Sequence, residues 1–301
     1  MIDFLLFELE KTLVDSQGKV VAHVIDALKT MKSFRLDTTG KCPVMCLICE
    51  GSADRNAVDD KLAELGSRLE TLGINGFFNP IGQRVTLIED EDVQRFDRHL
   101  FETALSQSKS DATPDQCVFF TGDPDVARAA RSLTIKTLEF SPHQDGGIDF
   151  SDWLESPLLV AKIVGSNRLK NTEVALRAYL AATENIDLIS LTASTDPDTF
   201  LGSSSTWHPI TSEKLRDLSG INVKLSAEIR VQLDASGKVK TVERTGPGPS
   251  DKEEAAHFVE SLSTHGQIAS ESSVASGNAT HEISTDSEGR RYLVRKRFTA
   301  V

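Results

Sequence analysis

Phe7-Glu8-Leu9-Glu10-Lys11-Thr12-Leu13-Val14-Asp15-Ser16 begins inside the first apolar run of the chain, residues 2–9. A short apolar run bounded by polar residues reads as a buried strand. Two carboxylates flanking Leu9 in such a strand are costly unless they are used or paired. Outward from this stretch, further apolar runs at 43–49, 117–121 and 135–140 alternate with amphipathic stretches at 20–31, 54–72, 97–106 and 125–133. Buried strands alternating with helices predict an α/β architecture, a parallel sheet covered on both faces.

The opening stretch resembles the first signature of the haloacid dehalogenase-like (HAD) phosphohydrolases, Asp-x-Asp-Gly-Thr-Leu-Val-Asp-Ser. Phe7, Leu9 and the five residues from Thr12 to Ser16 match; Glu8, Glu10 and Lys11 stand where the family has its nucleophile Asp, its acid/base Asp and a Gly. Three further family motifs follow in order. Leu47-Ile48-Cys49-Glu50-Gly51-Ser52 occupies the place of a strand ending in Ser or Thr, with Cys49 at the hydroxyl position and Ser52 as a second candidate. Gln94-Arg95-Phe96-Asp97-Arg98, followed by Phe101-Glu102-Thr103-Ala104-Leu105, puts Arg95 at the family's Lys. Phe119-Phe120-Thr121-Gly122-Asp123-Pro124-Asp125 matches the strand, Gly-Asp and helix start of the fourth motif. The resemblance covers about residues 1–140. It implies a HAD-like Rossmannoid sheet. It is a capless one, because the roughly 30 residues between Ser16 and the second motif leave no room for a lid. It also implies Glu8, Glu10 and Arg95 at the catalytic positions, and a phosphate pocket of Lys11, Thr12, Cys49 and Ser52. If Mg²⁺ binds, its ligands would come from Glu8, Glu10, Asp123 and Asp125.

The three departures in the first motif bear directly on the chemistry. Phosphoryl transfer of this kind needs an attacking carboxylate, a second carboxylate to pass a proton, and cations to offset charge. Glu reaches roughly 1.5 Å farther than Asp, whereas a reacting group must be placed within about 0.5 Å. A misplacement of ~1 Å costs ~10²-fold. Lys11 brings a long cation that can pair with Glu8 or Glu10 and fill the phosphate site. Arg95 keeps the charge but not the shape. The expectation is a pseudoenzyme: a non-catalytic regulatory or scaffolding module that binds another protein, with no cofactor required and Mg²⁺ optional. Two alternatives stand beside it. One is a Mg²⁺-dependent phosphohydrolase using Glu8 and Asp123. The other is a partner-binding or inhibitor-like role carried by the second half.

Composition narrows the partners. The chain has 301 residues and a formal net charge of −12, which disfavours binding to nucleic acid. No apolar run reaches the roughly 18 residues of a membrane span, and the N-terminus lacks a basic leader region. All four cysteines fall within the first 117 residues, three of them within eight positions. That is no disulfide framework, so a reducing, cytoplasmic setting is expected. Cys42, Cys46 and Cys49 have the spacing of an iron–sulfur motif, but strand geometry points Cys46 and Cys49 to opposite faces, so they cannot grip one cluster.

The texture changes near Phe140. The expected division is a HAD-like domain at 1–145 and a smaller α+β domain at 150–301, with the break near 141–150. In the second half, 157–165 reads as a strand, 172–185 as a buried helix, 186–193 as a strand and 194–212 as irregular. Strict alternation from Val223 to Leu233 gives a strand with one dry and one wet face, and Ala235-Ser236-Gly237 turns it into a hairpin. Ser250 or Asp251 is expected to cap a helix that presents Ala255, Phe258, Val259 and Leu262. A second hairpin joins 280–285 to 291–299. Partner-binding candidates are Trp207 and His208, read as a loop tip, and the basic residues Arg295, Lys296 and Arg297 of the last strand, read as a dock for an acidic partner or for the acidic first domain, or as a solvated strand.

Overall fold

The computed structural model describes residues 2–36, 41–50, 58–88, 98–107, 113–142, 149–164, 167–184, 186–196, 198–210, 220–269 and 279–295. The chain forms two compact units, Met1–Glu184 with Leu233–Val239, and Asn185–Gln232 with Lys240–Val301.

The first unit is built on five parallel strands: β1 (Phe4–Glu8), β2 (Val44–Glu50), β3 (Val85–Ile88), β4 (Cys117–Thr121) and β5 (Lys136–Glu139), in the order β3-β2-β1-β4-β5. β1 lies in the middle, with Phe4 opposite both Val44 and Cys117. Its five residues are buried on both faces, as expected for a central parallel strand. One face carries Phe4, Leu6, Ile48 and Phe119, packed against Phe101 and Ala104 of α4 (Arg98–Gln107) and Ala130 of α5 (Pro124–Ser132). On the other, Phe7 stacks on Phe120 at 4.6 Å and Trp153 on Phe120 at 5.8 Å. Here α1 (Val24–Lys32) packs with α6 (Ser156–Val164) and α7 (Arg168–Thr183). Between β2 and β3 lie α2 (Val58–Thr71) and the single turn α3 (Ile81–Arg84). This is a Rossmann-like, doubly wound arrangement.

Three features of this unit differ from the sequence reading. Residues 157–164 belong to the helix α6 rather than to a strand, and residue 165 lies outside the described residues. Ser156, Pro157, Leu158, Leu159, Val160 and Ala161 are all buried in succession, so the run has no periodicity to read, while Pro in a first helical turn suits a helix. β3, only four residues long, was not anticipated. Packing also carries the first unit beyond residue 145: Phe150 bridges Phe140, Trp153 is wholly buried among Phe7, Phe120, Phe140 and Phe150, and the unit runs on to Glu184.

The second unit is a mixed sheet. Its strands are β6 (Asp187–Ala193), β7 (Thr199–Pro209), β8 (Ile221–Leu233), β9 (Val239–Thr245), β10 (Ile268–Ala269), β11 (His281–Thr285) and β12 (Arg291–Arg295). The order is β10-β11-β12-β8-β7-β6, with β9 also paired to β8. β8 follows the expected alternation: Ala227, Ile229 and Val231 are buried while Lys224, Ser226, Glu228 and Arg230 are exposed. Both hairpin turns are held by an aspartate. Asp234 Oδ1 accepts from the N–H groups of Ser236, Gly237 and Lys238, and Asp286 Oδ1 from those of Glu288 and Arg290. The helix α8 (Pro249–Thr264) starts at Gly248, whose N–H donates to Asp251 Oδ2 at 2.7 Å; Asp251 caps it from inside the first turn. The segment read as irregular contains β7, eleven residues paired with β8 along their whole length. Its Ser- and Thr-rich sequence conceals a strand that pairing with β8 enforces.

Candidate functional site

In an open parallel sheet, the crevice outside the carboxyl ends of the strands, where strand order reverses, is the natural binding site. Here that point lies between β1 and β4. Their last residues are Glu8 and Thr121, and the segments that follow them meet.

After Glu8 the chain makes one tight turn, with the N–H groups of Leu13 and Val14 both donating to the Leu9 carbonyl. Lys11 sits in this turn at φ 58°, the left-handed region where a side chain costs about 1–3 kcal/mol and glycine costs little. That is the position of the Gly in the resembling signature. Opposite it, a Cβ on Gly122 would lie 2.0 Å from the Lys11 carbonyl oxygen, so only glycine lets the two segments approach. The Gly122 N–H donates to Thr12 Oγ1 at 2.6 Å.

Glu8 is buried, 6% exposed. Its Oε2 accepts from Thr12 Oγ1 at 3.2 Å and from Thr121 Oγ1. Burial, with the Asp123 charge adding to it, pushes Glu8 up to about 7, against the two hydroxyl hydrogen bonds and Lys11. This carboxyl therefore holds its proton to a higher pH than an ordinary glutamate. Asp123 does two things. Its Oδ1 accepts from the N–H groups of Asp125 and Val126 at the start of α5, the helix-capping role of its residue type. Its Oδ2 lies 3.1 Å from Lys11 Nζ. Partial burial works against its charge, but the Lys11 hydrogen bond and the helix N–H groups outweigh that and hold it below the ordinary carboxylate range.

The other expected residues divide. Glu10 is drawn to α2, where Arg68 Nη1 lies 3.1 Å from its Oε1. Lys11 pairs with Asp123, and its charge also acts on Glu8. Asp125 pairs with Arg128 one turn along α5, at 2.7 Å. Cys49 is buried near the end of β2, and burial, then the Glu10 carboxylate, push its thiol well above the ordinary value. Arg95 and Ser52 lie outside the described residues. Sequence reasoning missed two contributors. Thr121 was signalled only by its place before Gly122-Asp123, and Arg68, on a helix 58 residues from Glu10, by nothing in the sequence.

A divalent cation here would have to displace the Lys11 ammonium from Asp123 and ionise Glu8. The donors as arranged fit an ammonium, not Mg²⁺, which requires several free oxygens in octahedral geometry. Glu8 is engaged by two hydroxyls and Glu10 by a guanidinium.

In the second unit, Trp207 and His208 lie on β7 rather than at a loop tip. Trp207 is opposite Lys224, with Lys224 Nζ 5.6 Å and Arg290 5.7 Å from its ring centre and Tyr292 at 5.2 Å. His208 Nε2 is 2.9 Å from Thr206 Oγ1; burial, then Lys252 and Arg244, lower its pKa. Arg295 ends β12 and is exposed, while Lys296 and Arg297 lie outside the described residues. Compared with protein-family models, with curated proteins and with solved structures, the chain finds no match.

Proposed function

We propose that the first unit is a capless HAD-like domain that has lost phosphohydrolase chemistry and serves as a regulatory or scaffolding module for another protein. The observation that carries this reading is Lys11. It takes a left-handed conformation at the signature's Gly position and sets its ammonium on Asp123, the carboxylate that would otherwise face a metal and a phosphate. Glu8, tied to two threonine hydroxyls, and Glu10, tied to Arg68, supply neither a free nucleophile nor a free proton carrier. A fold whose reactive groups neutralise one another retains shape and surface, which suit binding. A reducing compartment belongs to the same proposal, supported by Cys42, Cys46, Cys49 and Cys117, all free thiols. No helix among the described residues is long and apolar enough to cross a membrane.

Hydrolysis of an aryl phosphate with Mg²⁺ tests this. The expected result is turnover no greater than background for the wild type. Turnover above background that disappears in Glu8→Gln would replace this reading with that of a working phosphohydrolase.

A further inference from the structure

Two cations, an imidazole and a hydroxyl converge within the second unit. Thr206 and His208 stand two apart on β7 and so share a face. Their partners across the ladder are Leu225 and Val223, which places them on the dry face of β8. α8 packs on that face, with Val259 and Ala256 against Ile210 and Val223. Lys252 precedes Ala256 and Val259 on α8 at the spacing that keeps residues on one side of a helix, one turn nearer its start. Asp251, Glu253 and Glu254 are turned away from that side by about 100° or more, and Asp251 is held by the Gly248 N–H. From the end of β9, Arg244 reaches β7.

The contacts form a chain. Thr206 Oγ1 accepts from Arg244 Nη2 at 2.6 Å and lies 2.9 Å from His208 Nε2. A hydroxyl that accepts from a guanidinium keeps its own proton to donate, so with a neutral ring Nε2 is the acceptor and Nδ1 carries the N–H. Burial, then Lys252 and Arg244, lower the pKa of His208, and no carboxylate among the described residues offsets them. Arg244 and Lys252 have no carboxylate partner among the described residues either. By contrast, Lys224 is paired with Asp187 at 2.6 Å and Arg290 with Asp286 at 2.8 Å. In a chain of net charge −12, cations gathered without a counter-charge repel one another until an anion joins them. Thr206 and His208 are half-buried, whereas Arg244 and Lys252 are exposed, so the cluster has a fixed floor and accessible charges.

We propose that Thr206, His208, Arg244 and Lys252 form a binding site for a dianionic phosphate group. The guanidinium supplies planar N–H donors matched to phosphate oxygens, the ammonium a point charge, and the hydroxyl and imidazole further donors. A compact phosphate suits the site and a nucleic-acid backbone does not, because the acidic chain as a whole repels an extended polyanion. The site lies wholly within the second unit, and the inference is independent of whether the first unit hydrolyses phosphate.

The test uses the full chain, titrated with inorganic phosphate and with a blocked tripeptide carrying phosphoserine between two glycines. Binding is followed by calorimetry and by the His208 imidazole resonances. Saturable binding is expected for at least one ligand, with the His208 resonances moving along the same isotherm. Tighter binding of the peptide assigns the site to a phosphorylated protein; equal or tighter binding of inorganic phosphate assigns it to the free anion. Arg244→Gln should weaken binding about tenfold and Lys252→Gln about threefold. Both positions are exposed, so folding should be unaffected. Lys240→Gln, at an exposed cation elsewhere on β9, should change nothing. The proposal is overturned if neither ligand moves the His208 resonances, or if Arg244→Gln leaves binding unchanged, as it would were phosphate held at Lys11 of the first unit. Tighter binding of a duplex oligonucleotide than of either ligand, at about 0.15 M salt, would overturn it too.

Discussion

β1 and β8 are the axes of the two units, and they are built in opposite ways. β1 has a parallel partner on each edge and is buried on both faces. At its carboxyl end the chain closes on itself through Thr12, Thr121, Lys11 and Asp123. β8 has one dry and one wet face, and part of one edge has no strand beside it among the described residues. A fully enclosed strand concentrates function at its tip, where a few side chains decide whether the site is open. A half-covered strand offers binding along its side. Among the described residues, Lys11 reaches Asp123 at the tip of β1, whereas residues 223–225 of β8 have a neighbouring strand on one edge only.

The largest effects should come from testing the two environments directly. In β1 the neighbours Leu6 and Phe7 point to opposite faces and are both buried, so Leu6→Asp and Phe7→Asp should each destabilise the first unit by more than about 4 kcal/mol, by burying an unpaired charge. In β8, Ile229→Asp should do the same to the second unit, while its exposed neighbour Arg230→Asp should change stability by less than about 0.5 kcal/mol. Urea denaturation monitored by circular dichroism checks this. Equal tolerance at Ile229 and Arg230 would erase the contrast.

A smaller effect sharpens the account of the filled tip. Glu8 titrates at about 7 when folded, against 4.5 ordinarily. Between those values the folded state keeps a proton that the unfolded state releases. The stabilisation from this group is therefore complete below pH 4.5, lost as pH rises toward 7, and constant above it. The difference is about 3 kcal/mol. Glu8→Gln should remove that decline, so the gap between variant and wild type, measured by urea denaturation at pH 4.5 and 8, should change by about that amount. A gap independent of pH would mean Glu8 is ionised throughout, leaving the tip a carboxylate ready to act.

The sequence revealed most where a single physical rule dominates. Alternation along residues 223–233 could be read directly because one face meets water and the other does not. The strand-to-Gly122-Asp123 junction could be read because close approach demands glycine and a helix start favours an acidic cap. Where two rules compete, it misled. The stretch at 157–164, apolar except for Lys162, fits a buried strand or a buried helix equally, and packing against α1 and α7 decides. β7 has the composition of a loop, and β8 makes it a strand. At the site, Lys11 was recognisable as an intruder on the phosphate pocket, but not its choice of Asp123. Arg68, which occupies Glu10, reaches it from an element whose position depends on the whole β2–α2–β3 crossover.

The central claim is that Lys11 stands in place of a cation, and calorimetric titration of Mg²⁺ into the full chain tests it most directly. The wild type should give no saturable heat. The triple variant Glu8→Asp, Glu10→Asp, Lys11→Gly, with carboxylates shortened and the ammonium gone, should bind Mg²⁺ with a definite stoichiometry. Saturable Mg²⁺ binding by the wild type, unchanged by Lys11→Gly alone, would contradict the account.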